Sequence, residues 1–142
     1  MEIRAIRSGE ERKAAALVYE LTRGTVPDEQ SLGAFLDRAS ALETDLTRQV
    51  VAVTPDGSIV GTSIYFPQGD GSATVVTPLC AAGYETPEVQ QALLRALGDK
   101  ARADGVHMLQ VFTSQDDART HELLAQCGFE PLAVLLFMSR PV

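Results

Sequence analysis

The stretch from Thr86 to Thr113 constrains the fold of this chain more than any other. Thr86 is a good helix N-cap and Pro87 suits the first helical position, while Val89, Ala92, Leu93, Ala96 and Leu97 fall on one apolar stripe. Gly105 closes that helix, and Val106 to Thr113 is a nearly all-apolar run. A strand of that kind, entered through a crossover helix, is expected to be buried on both faces and paired in parallel with the strand before the helix. A parallel pair needs helices packed on the sheet, so the class is α/β.

Upstream, the punctuation is regular. Glu2 to Arg7 reads as a first strand, and Ser8 with Glu11 has the spacing of a capping box ahead of Ala14, Ala15, Leu17, Val18 and Leu21. Gly24 ends that helix. A second helix starts near Asp28, with Leu32, Phe35, Leu36 and Ala39 at helical spacing. Strands over Gln49 to Thr54 and Ser58 to Phe66 flank Pro55-Asp56-Gly57, a hairpin turn. Ala73 to Cys80 makes a third strand of an antiparallel meander. Pro78 cannot donate to a ladder, so this strand is expected to bulge or detach near its end. Beyond Thr113 a short helix runs from Asp117 to Gln126 and stops at Gly128, and Leu132 to Met138 is a last apolar strand. The predicted order is β-α-α-β-β-β-α-β-α-β, a mixed sheet with helices on both faces in one domain over residues 1–142.

Composition narrows the function classes. A net charge of -7 disfavours nucleic acid, whose phosphates reward Lys and Arg. No apolar run approaches the roughly 18 residues of a membrane span. The start, Met1-Glu2-Ile3-Arg4, has no apolar signal core, and Cys80 and Cys127 form neither a disulfide framework nor a metal spacing. The expected setting is a reducing cytoplasm. Serine-hydrolase and zinc-site patterns are absent: there is no Gly-x-Ser-x-Gly and no Cys-x-x-Cys.

The element order is similar to that of the GNAT (GCN5-related N-acetyltransferase) superfamily. Tyr84, the pair Leu93-Leu94, Gly105 before an apolar strand, and Gly128-Phe129 after a short helix all fall where that family has them. Leu123-Leu124-Ala125-Gln126-Cys127-Gly128-Phe129 resembles its closing Leu-Tyr-x-Lys-x-Gly-Phe motif. The resemblance implies acetyl-CoA as co-substrate, its pantetheine arm pairing with a strand splayed at a bulge. Backbone contacts would then fall on Leu79, Cys80 and Ala81. It further implies a pyrophosphate loop of the form (Arg/Gln)-x-x-Gly-x-(Gly/Ala) and a tyrosine that protonates the leaving thiolate.

Those motifs are eroded here. The loop falls on Glu85-Thr86-Pro87-Glu88-Val89-Gln90, which has no glycine, two carboxylates and a proline without an amide. It reads as a well-capped helix start, although the amides of Glu88, Val89, Gln90 and Gln91 could still face an anion. The acid's position is Leu124. His121, one turn earlier, is the candidate substitute, against the plainer reading of a surface histidine. Cys80 has no neighbouring cation to activate it. Arg95, Lys100 and Arg102 are candidate cations on the cofactor side, or else a solvated face. Acceptor choice is expected from the first two helices and the loop from Gly24 to Asp28.

Two functions stay open. One is a GNAT-type acetyltransferase acting on a small amine. The other is a catalytically degenerate module, resembling one half of a tandem-GNAT protein, that regulates, dimerises or binds a partner. The strand Leu132 to Met138, apolar on both faces, would be hazardous if left at an edge. A homodimer covering it is expected; a monomer whose first helices fold over it is the alternative.

Overall fold

The computed structural model describes residues 1–131. The final strand expected over 132–138, and the dimer inferred from it, lie outside the described residues. The element order is β1 (Glu2–Ala5), α1 (Glu11–Arg23), α2 (Glu29–Ala41), β2 (Gln49–Val53), β3 (Ile59–Pro67), β4 (Ser72–Cys80), α3 (Pro87–Ala103), β5 (Met108–Gln110) and α4 (Ala118–Gln126). The strands form one sheet in chain order, antiparallel from β1 through β4 and parallel between β4 and β5. The crossover helix thus enforces the parallel pair, as its position predicts. No described helix is long and apolar enough to cross a membrane.

Alternation along the strands divides the core. Val50, Ala52, Tyr65, Val75 and Cys80 face α3 and pack with Leu93, Leu94, Leu97 and Ala101, and with Leu123 and Leu124 of α4. Val51 and Val53 point the other way and meet Ala14 of α1. Gly61 lets α3 sit close on the sheet: a Cβ there would lie 3.0 Å from Leu93 Cδ1 and 3.3 Å from both Ala52 Cβ and Cys80 Sγ. On the opposite face, Tyr19 and Phe35 join α1 to α2 through edge-on rings 5.7 Å apart.

The ends of the elements follow local chemistry. Asp28 caps α2 by accepting the Ser31 amide at 2.7 Å, and Gly24 closes α1 at φ 78°. The capping box expected from Ser8 and Glu11 does not form. Helix α1 is instead capped at Glu10, whose carboxylate accepts both terminal guanidinium nitrogens of Arg4, at 2.7 and 2.8 Å, and the Arg7 amide at 2.7 Å. Those donors tie β1 to the start of α1 and hold the Glu10 carboxyl down at about 2, the Arg4 hydrogen bond being the largest cause. Strand β5 is also shorter than its apolar run. Only Met108–Gln110 pairs, and Met108 and Phe112 are 52% and 63% exposed, so burial on both faces does not hold.

Candidate functional site

Strand β4 carries the feature that organises the site. Ile64 pairs with Val76 and Thr62 with Leu79, so two steps on β3 match three on β4. The extra residue lies in Thr77-Pro78, and Ser63 Oγ, opposite it, donates to the Val76 carbonyl at 2.6 Å. A proline that withholds its donor has produced the bulge expected of it. On its other edge, β4 is paired with β5 only over Ser72–Thr74. From Val75 to Cys80 that edge is unpaired among the described residues. The Ala81 amide donates to Val60 at 2.8 Å, toward β3. Backbone groups alternate along a strand, so those of Cys80 point to the open edge.

The chain then turns at once into α3. Ala81 accepts the Tyr84 amide at 2.9 Å, Thr86 Oγ1 caps the Val89 amide at 3.3 Å, and the Gln90 amide bonds Thr86 O at 3.0 Å. Pro87 has no N–H. Of the four amides at Glu88, Val89, Gln90 and Gln91, the first turn therefore leaves that of Glu88 without an acceptor among the described residues. The well-capped start read from sequence is what forms, and Glu85 and Glu88 are both exposed beside it.

Behind the bulge, a cavity of about 470 Å³ lies between α1, α2 and the sheet. Val76 and Leu79 line it beside the bulge, Phe35 and Leu36 close it from α2, and Gln49 and Thr62 form a polar spot in its wall. Gln49 is 4% exposed; its Nε2 donates to Leu46 O at 2.9 Å, and Thr62 Oγ1 lies 2.8 Å from its Oε1. No residue of the Gly24 to Asp28 loop lines the cavity; the helices themselves do. Gln49 and Thr62 escaped the sequence reading because only β2–β3 pairing brings them together.

The remaining sequence candidates are placed as follows. Cys80 is buried under α3, and burial, followed by the charge of Glu85, pushes its thiol up to about 11, which keeps it a thiol. Leu124 is buried in the core, packed with α3 rather than facing a thiolate. His121 uses Nε2 to meet Thr113 Oγ1 at 2.8 Å and Ser114 O at 2.9 Å, pinning the loop after β5 to α4. Lys100 and Arg102 occupy the last turn of α3, on the order of 20 Å from its N-terminus at 1.5 Å per residue. Lys100 pairs there with Asp104 at 3.5 Å, and Asp104 accepts the buried Tyr65 hydroxyl. Those groups border a second cleft, of about 500 Å³, whose other pair is Arg48–Asp45 at 3.5 Å. Among the described residues there is no cluster of His, Cys, Asp and Glu able to hold a metal.

A mixed sheet opened at a β4 bulge, with a crossover helix starting beside the opening, defines the architecture as a class of α/β domain. No family model and no curated protein matches this sequence. Solved structures do match. The ribosomal-protein-alanine N-acetyltransferase of Brucella melitensis is similar at a TM-score of 0.69 and 19% identity, over 94% of this chain and 86% of that one. The aminoglycoside N-acetyltransferase AAC(6')-Iy, in complex with a bisubstrate analogue of CoA, is similar at 0.71 and 16%, over 99% and 98%. A transcriptional regulator from Bacillus halodurans is similar at 0.69 and 18%, over 98% and 99%. At these identities the likeness is one of fold: this chain has the GNAT fold.

Proposed function

We propose that the chain binds acetyl-CoA along the open edge of β4 and transfers the acetyl group to a small amine in the cavity behind the bulge. One observation carries this reading: a single strand borders both compartments. Val76 and Leu79 line the cavity, while the backbone of Cys80, between Leu79 and Ala81, faces the opening. The pantetheine amides would pair with that free backbone, and the phosphates would reach the Glu88 amide at the start of α3. Ala81 holds the strand end to β3 rather than contacting cofactor.

In the transfer, the amine nitrogen attacks the thioester carbonyl. The C–N bond forms, the C–S bond breaks and the thiolate departs. No carboxylate or imidazole among the described residues lines the cavity, so the amine proton passes to water. With Leu124 in the core and His121 held by its loop, the thiolate takes its proton from solvent. A reaction without a positioned acid or base forgoes roughly a hundredfold or more in rate, so slow turnover is expected.

Release of free thiol from acetyl-CoA in the presence of an amine panel tests this. Amine-dependent release above the buffer rate supports transfer; silence across the panel overturns it in favour of a non-catalytic module. That second reading rests on the start of α3, where Pro87, the Thr86 cap and the charges of Glu85 and Glu88 leave little for a pyrophosphate. The Bacillus halodurans protein, named as a regulator, carries the same fold.

A further inference from the structure

Among the described residues, the charged side chains lining the cavity behind the bulge are Arg23, from the end of α1, and Arg38, from α2, and no Asp or Glu lines it. This runs against the chain as a whole, which has 19 acidic and 12 basic residues. Neither arginine has a carboxylate within 4.0 Å among the described residues, as is true also of Arg95, Arg102 and Arg119 on α3 and α4, whereas Arg4, Arg7, Arg12 and Arg48 each have one. The Arg23 guanidinium lies 5.2 Å from the centroid of the Tyr19 ring, a contact that orders it without neutralising it. Around the two cations the walls are apolar, including Val18, Phe35, Leu36 and Ile64, and the volume, about 470 Å³, suits a small organic molecule. In the wall, buried Gln49 uses one Nε2 proton on Leu46 and has a second with no acceptor among the described residues.

We infer that this cavity takes an apolar small molecule carrying a carboxylate, bound by Arg23 and Arg38 with its hydrocarbon part against the sheet. The inference rests on the acceptor reading of the same cavity: an amine accepted there would carry its carboxylate away from the reacting nitrogen. Apolar contact supplies the bulk of the binding, and guanidinium–carboxylate bonds select the charge. A plain alkylamine is disfavoured because it would bring an ammonium to two cations.

Calorimetric titration of the whole protein, without CoA, with phenylbutyrate, phenylbutyramide and phenylbutylamine tests it. The three probes match in size and differ in charge. The carboxylate is expected to bind at least tenfold more tightly than the amide, with the amine weakest. The double variant Arg23→Gln and Arg38→Gln, at two exposed positions outside every ion pair among the described residues, should bring the carboxylate down to the affinity of the amide. Equal binding of all three, preference for the amine, an undiminished double variant or no binding at all would each overturn the inference. Because CoA is absent, failure of acetyl transfer leaves this result standing, and failure here leaves transfer to other acceptors intact.

Discussion

Replacing Gly61 with alanine tests how α3 is seated against β4. Position 61 is extended and fully inside the sheet, so alanine itself is conformationally acceptable. Removing glycine's freedom in the unfolded chain should stabilise by about 0.4–1 kcal/mol. Against that, the new Cβ meets Leu93 Cδ1 at 3.0 Å, Ala52 Cβ at 3.3 Å and Cys80 Sγ at 3.3 Å. Leu93 is 0% exposed and Cys80 2%, so neither side chain has solvent to swing into. Overpacking of this kind costs about 1–3 kcal/mol, and the clash outweighs the entropy gain. We expect a net loss of about 1–2 kcal/mol, read as a lower midpoint at unchanged slope in urea unfolding. Leu93→Val shortens the clashing side chain and by itself should cost about 1 kcal/mol as a small cavity. Combined with Gly61→Ala it should recover at least 1 kcal/mol relative to additivity. Strict additivity, or a stabilised Gly61→Ala, would refute the close approach of α3 to the sheet.

Other outcomes follow from the same geometry. The Glu10 carboxyl, held at about 2, is depressed below its unfolded value, so its contribution is complete above about 4.5 and is lost as pH falls toward 2. Glu10→Gln should remove about 1–2 kcal/mol at neutral pH, and flatten the acid limb of a pH–stability curve; an unchanged limb would contradict the Arg4 tether. Thiol labelling should be slow at both cysteines in the native state and slower at buried Cys80, whose thiol stands at about 11, than at half-buried Cys127; faster labelling at Cys80 would mean that α3 lifts from the sheet. If CoA binds at the start of α3, replacing Glu85 and Glu88 by glutamine should tighten it severalfold at low salt, with the gain shrinking as salt screens the repulsion. No gain at low salt would place the phosphates elsewhere.

Where local chemistry decided an element, the sequence was legible. Gly24, Asp28, Thr86-Pro87 and Pro55-Asp56-Gly57 each act within a few residues, and each stands at the boundary it marks. Pro78 announced the bulge, because a missing donor has no remedy within a ladder. The capping box did not form: Glu11 accepts the Gly9 amide instead, and the helix begins at Glu10, held by Arg4 across the β1–α1 turn, a contact no local pattern encodes. The apolar run after Gly105 overstated β5, since composition fixes apolarity and not the number of paired residues. The cavity was least visible of all. Its walls come from α1, α2, β2, β3 and β4, and its arginines stand out only once the surrounding carboxylates are seen to be elsewhere.

Backbone hydrogen exchange with and without CoA tests the central claim most directly, because it reads the open edge of β4 without requiring turnover. The account predicts slowed exchange at Cys80, whose amide faces the unpaired edge, and at Glu88, the uncommitted amide of the first turn of α3, with Ala81 unchanged because it is already bonded to Val60. Exchange unchanged at both Cys80 and Glu88 under saturating CoA, or protection confined to α1 and α2, would contradict it.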